Sequence, residues 1–70
     1  GAAGAEGDLG LSRSQRSAIQ ASLTRQGYDT RGIDGVFGRG TRGAIAAWQQ
    51  ANGLQATGYL TASQADSLLR

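Results

Sequence analysis

Cysteine and histidine are both missing from this chain, and each absence closes a route. Without cysteine no disulfide can staple a small fold, and without either residue no zinc site of the usual kind can form. No metal and no cofactor are expected. Seventy residues bury little apolar surface. The core must therefore come from close packing of Leu, Ile, Val and Ala with four aromatics, Tyr28, Phe37, Trp48 and Tyr59. The lack of thiols leaves the redox compartment open. Lysine is missing too: all seven basic residues are Arg, the net charge is +2 and the sequence pI is about 9.9. Arg keeps its charge at any pH and presents a planar fork of donors suited to carboxylates and phosphates. A surplus of two positive charges is no nucleic-acid signature, so no nucleic-acid partner is expected. No run approaches the apolar length of a membrane span, and no membrane insertion is expected.

Acids are few as well: Glu6, Asp8, Asp29, Asp34 and Asp66. Glycoside hydrolysis needs two carboxyls facing each other across a bond. Only Asp29 and Asp34 share a loop, and Asp34 belongs to an Asp-Gly turn. With no His, no Cys and no base beside the serines, the chain does not read as an enzyme.

What is abundant is glycine. GRGTRG, residues 38 to 43, fits the dinucleotide fingerprint G-x-G-x-x-G letter for letter. That motif needs a buried strand before it and an acid about 20 residues after it. Upstream stands only GIDGVF, broken by Gly35, and downstream lie Gly58, Tyr59 and Leu60. A phosphate loop fails too, because Thr41-Arg42 stands where Lys and Ser/Thr are needed. Gly38, Gly40 and Gly43 instead start a helix and thin its first turns, where another backbone or a ligand can come close.

The chain reads as one small unit. Residues 1 to 10 are expected to be a flexible linker or tail, and residues 11 to 70 the domain. Ser12 with Gln15 has capping-box spacing, and Ile19 and Leu23 mark the buried side of a first helix over 13 to 26, closed by Gly27. A 13-residue loop follows, YDTRGIDGVFGRG, in which Tyr28, Ile33, Val36 and Phe37 are expected to pin it to the core. A second helix over 39 to 51 carries Thr41, Ala44, Ile45, Trp48 and Ala51 on one face, with Gly53 as its end. Thr61 with Gln64 repeats the capping box before a short third helix bearing Ala65, Leu68 and Leu69. Each half has a helix, a closing glycine with an apolar residue after it, a glycine-centred turn and two apolar residues, which reads as a weak internal repeat. The expected fold is all-α: a small three-helix bundle with a long ordered loop between its first two helices.

Three segments in order, Q-x-x-L-x-x-x-G-Y from Gln20, D-G-x-F-G-x-x-T from Asp34 and W-Q-x-x-x-G-L from Trp48, resemble the bacterial peptidoglycan-binding domain family over about residues 11 to 69. Gly40 and Gly43 depart from that family's better helix formers, and Trp48 stands where Phe is commoner. The resemblance implies a monomeric, non-catalytic module that binds peptidoglycan through its stem peptide or glycan. It implies that the module holds an attached catalytic domain on the wall, in a periplasmic or extracellular setting. The alternative is a protein-interaction or regulatory module that packs on its parent enzyme or a partner. The candidate ligand residues surround the long loop and the start of the second helix: Tyr28, Arg31, Asp34, Gly35, Arg39, Gly40 and Arg42. The arginines can pair with carboxylates, and the glycines let a ligand near the backbone. Asp34 reads first as turn chemistry, Thr41 as a bond back to the loop, and Trp48 as core.

Overall fold

Ser12 opens the first long helix by the reciprocal cap its spacing predicts. Its Oγ accepts from Gln15 N at 3.0 Å, and Gln15 Oε1 accepts from Ser12 N at 2.8 Å. The computed structural model describes residues 1–70 and contains four helices and no strand: α1 Ala2–Asp8, α2 Arg13–Arg25, α3 Arg39–Ala51 and α4 Ala62–Leu69. Thr61 and Gln64 cap α4 in the same reciprocal way, at 3.2 Å in both directions. α3 starts on Gly38, which offers no side-chain cap. The two long helices close alike. Tyr28 N donates to Leu23 O at 2.9 Å past Gly27, and Leu54 N donates to Gln49 O at 2.8 Å past Gly53. Gly27 and Gly53 have φ of 93° and 70°, the left-handed turn that glycine enters without a Cβ clash.

α2 packs chiefly on α4 and less extensively on α3. Between them lie Ile19, Leu23, Ile45, Trp48, Leu60 and Leu68, with Ala44 and Ala65 completing the buried cluster. Each large aliphatic side chain here contributes about 1.5–3 kcal/mol by leaving water. Trp48 is core, as its stripe position predicts.

Two expectations need correction. Residues 1 to 10 are not an unstructured tail in this structure: residues 2 to 8 form α1, so the helix count is four rather than three. α1 has no apolar stripe for a sequence pattern to reveal, and its only buried residue is Glu6. The second correction concerns the long loop. Tyr28 and Phe37 pack against the core, but Ile33 and Val36 are 54% and 56% exposed. The loop is held by polar bonds, most of them from one buried glutamine, so its aliphatic side chains are free to face outward.

Candidate functional site

That glutamine is Gln20, on α2 and buried beneath the loop. Its Oε1 accepts from Asp34 N at 3.0 Å and Gly35 N at 2.8 Å. Its Nε2 donates to Asp34 Oδ1 at 3.2 Å, Val36 O at 2.9 Å and Thr41 Oγ1 at 3.0 Å. One amide therefore satisfies both sides of the turn and ties it to the first turn of α3. Asp34 closes the turn on itself, with Oδ1 accepting from Val36 N at 2.9 Å. The Val36 N–H, then the Gln20 amide, hold the Asp34 carboxyl below its usual value of 3.8. Arg13 Nε and Arg16 Nε donate to the carbonyls of Asp34 and Gly35. A Cβ on Gly35 would come within 2.9 Å of Arg13 O, and its φ is 76°, so both space and backbone require glycine there.

Gln49 builds the same clasp in the second half. Its Oε1 accepts from Gly58 N at 3.0 Å, and its Nε2 donates to Tyr59 O at 2.8 Å and Gln64 Oε1 at 2.9 Å. Thr57 Oγ1 accepts from Tyr59 N at 3.1 Å, as Asp34 does from Val36 N. Asp34, Gly35, Val36 and Thr41 thus correspond to Thr57, Gly58, Tyr59 and Gln64, and the internal repeat is one of hydrogen bonds as well as of sequence.

The loops within the two clasps differ. Eight residues lead from Gly27 to Gly35 and five from Gly53 to Gly58, so the first loop has three more. This longer loop forms a hook over Asp29, Thr30 and Arg31. Arg31 N donates to Asp29 Oδ1 at 2.8 Å, and Arg31 takes φ 65°, the chain's one left-handed non-glycine residue. Holding a side chain there costs about 1–3 kcal/mol and marks a constrained position. The hook lies against α3 at Gly40. A Cβ on Gly40 would sit 2.7 Å from both Arg31 Cβ and Thr30 O, so the thin helix turn is filled first by the chain's own loop. Thr41 Oγ1 donates to Thr30 O at 3.4 Å on the buried side.

On the outer side the hook and α3 bound a groove of about 360 Å³, lined by Tyr28, Asp29, Arg31, Gly40, Gly43 and Ala47 among others. A smaller hollow of about 160 Å³, reached by Arg31, Gly38, Gly40 and Val36, lies on the other side of the hook. A Cβ at Gly43 would meet nothing within 4 Å, so the helix backbone there is open to an approaching group. The Arg31 guanidinium has no hydrogen-bond or ion-pair partner in the chain.

Of the expected ligand residues, the structure brings Tyr28, Arg31 and Gly40 together around this groove. Asp34 lines the smaller hollow with Arg31 and Gly40, and both Asp34 and Gly35 are held in the Gln20 clasp. Arg39 is exposed at the first turn of α3 and lines neither hollow. Arg42 turns elsewhere: its Nη1 donates to Glu6 Oε2 at 2.8 Å and to Gly58 O at 3.1 Å. Sequence reasoning missed Asp29 and Ala47 as groove residues. Asp29-x-Arg31 spacing, which allows a side chain to accept from the N–H two residues on, is the signal that could have found the first.

The family model described as "Putative peptidoglycan binding domain" matches residues 12–68. Among solved structures, the chain is similar to SltB3 from Pseudomonas aeruginosa, whose crystal structure is in complex with NAG-anhNAM-pentapeptide. The TM-score is 0.78 at 45% identity, over 86% of this chain and 16% of that one. No curated protein matches the sequence.

Proposed function

The chain belongs to the peptidoglycan-binding domain family, and from that premise we propose that it is a non-catalytic module holding peptidoglycan in the groove between the Asp29–Arg31 hook and α3. The observation that carries this reading is the longer first loop. It places an arginine with no internal partner, on constrained backbone, beside an aromatic ring and an open stretch of helix backbone. A stem peptide offers carboxylates and amides. Arg31 would pair with a carboxylate, Tyr28 would cover an apolar face of the ligand, and the open backbone at Gly43 would allow close approach. Arg39, exposed on the first turn of α3, adds to the local positive charge. Asp34 and Gly35 belong to the site as its frame. The similar SltB3 structure is a complex with a peptidoglycan fragment, which fits a wall ligand here.

On this reading the module acts as a monomer, in the periplasm or at the cell wall. It tethers an attached catalytic domain to a polymer on which weak single contacts add up by avidity. A second reading rests on the exposed Ile33 and Val36, which suit a protein surface, either the parent enzyme or a partner. Sedimentation with protein-free sacculi separates the two. Retention at moderate salt that is lost in Arg31→Ala/Arg39→Ala, and kept in Ile33→Ser/Val36→Ser, supports the groove. Wild-type chain that stays in the supernatant at low and moderate salt counts against wall binding by this unit.

A further inference from the structure

Arg42 and Glu6 form a second, separate site. The Arg42 guanidinium carbon lies 4.0 Å from the centre of the Tyr59 ring and 5.3 Å from that of Phe37. Glu6 Oε2 is the acceptor for two donors there, Arg42 Nη1 at 2.8 Å and the buried Leu60 N at 2.7 Å. A guanidinium steadied by aromatic rings, joined by an inward-facing backbone N–H, is a seat for one carboxylate.

The segment that carries its occupant is short. α1 has seven residues, two of them glycine, and no side-chain cap. A helix this short is marginal by itself. Its alanines are exposed, and only Glu6 is buried. Beneath α1 remains a hollow of about 150 Å³ between Ala2 and Ala5 on one side and Gln49, Thr57, Tyr59 and Gln64 on the other. The seat is well made, while the segment carrying its carboxylate leaves the adjoining space unfilled.

We infer that the Arg42–Leu60 seat is a carboxylate-binding site for a peptide, closed in this structure by the chain's own Glu6. A peptide carboxylate displaces Glu6 oxygen for oxygen, and its body enters the hollow as α1 lifts away. The tethered Glu6 competes at an effective concentration on the order of millimolar, so the site opens only to abundant or multivalent ligand. This inference does not depend on the groove.

The test is an amide and arginine-side-chain NMR titration of the 70-residue chain. The ligands are N-acetyl-Ala-Ala, its C-terminal amide, and N-acetylglutamic acid amide, whose one carboxylate is on the side chain. They are added to wild type, Glu6→Ala and Glu6→Ala/Arg42→Gln. Arg42 is partly exposed, at 28% of its side chain, and keeps Gly58 O in the absence of Glu6, so the single variant is expected to fold. The prediction is saturable shifts at Leu60 N–H and Arg42 Nε in Glu6→Ala, at about tenfold lower ligand than in wild type, with none from the Ala-Ala amide and none in the double variant. Whichever carboxylate saturates identifies the source as a chain end or a side chain. If neither does, or if the amide binds equally, the inference is wrong. Should Glu6→Ala lose its Leu23 and Ile45 signals, Glu6→Gln replaces it. If that variant also unfolds, Glu6 is a fixed structural anchor and the inference falls.

Discussion

Gln20 and Gln49 do the same work in the two halves of this molecule, yet the loops they hold differ: the first walls a groove against α3, while the hollow beside the second is lined in part by α1. Each amide is buried, each accepts from a glycine N–H at a left-handed turn, and each donates to a carbonyl and to the third residue of the following helix. The second loop returns to its helix by the short route and leaves Leu60 buried. The first spends three more residues, turns Arg31 into the left-handed region and walls off a hollow against α3. The clasps are scaffold. Recognition is expected where the halves differ.

Breaking the clasps should have the largest effect, and an unequal one. Gln20→Ala strands five hydrogen bonds, two of them from backbone N–H groups. It should cost about 3 kcal/mol, because buried groups left unpaired bear the full desolvation penalty. Gln49→Ala strands four, one of them stretched to 3.5 Å, and should cost about 2 kcal/mol. Urea unfolding of the two variants measures the difference; equal losses would mean the second loop is as dependent on its clasp as the first.

The turn glycines sharpen the same contrast on a smaller scale. Gly35 and Gly58 have φ of 76° and 79°, so alanine at either is strained. At Gly35 a Cβ would also come within 2.9 Å of Arg13 O, whereas at Gly58 the nearest atom is Arg42 O at 3.3 Å. Gly35→Ala should cost about 2–3 kcal/mol and Gly58→Ala about 1–2 kcal/mol, read as midpoint shifts in the same urea series.

Arg31→Gly should separate recognition from stability. Relief of the left-handed backbone offsets the extra freedom of glycine in the unfolded chain, so the variant should gain between zero and about 1 kcal/mol. Sacculus retention should fall at the same time. A destabilised variant would show that the guanidinium is part of the frame.

Acid should distinguish the loops most gently. Asp34 has its folded pKa lowered below 3.8 by the Val36 N–H and the Gln20 amide. Its contribution is therefore complete above the unfolded value and is lost as pH falls through the folded one. Thr57 occupies the matching station and does not titrate. Amide exchange at Val36, corrected for its intrinsic pH dependence, should lose protection as pH falls below 3.8 and through the lowered folded value, while that at Tyr59 should not.

The helices from Ser12 onward were legible because their signals are local: two capping boxes, two closing glycines and the Ile19, Leu23, Ile45 and Trp48 stripe. Trp48 as core, Thr41 bonding toward the loop and Asp34 as turn chemistry follow from the same short-range rules. α1 was not legible, since it is held by one carboxylate reaching partners 36 and 54 residues away. The outward turn of Ile33 and Val36 was hidden for a related reason. Apolar residues in a small protein are expected inside, and only the Gln20 bonds reveal that the loop is held without them. Arg42 lies between the groove residues Gly40 and Gly43 in sequence, but its side chain turns away from the groove to Glu6 and Gly58.

The most direct measurement is an NMR map of the wild-type chain with a soluble peptidoglycan fragment carrying its stem peptide. The account predicts saturable shifts at Tyr28 to Arg31 and from Gly40 to Ala47. Shifts confined to the second loop, or none in the groove at saturating fragment, would contradict it.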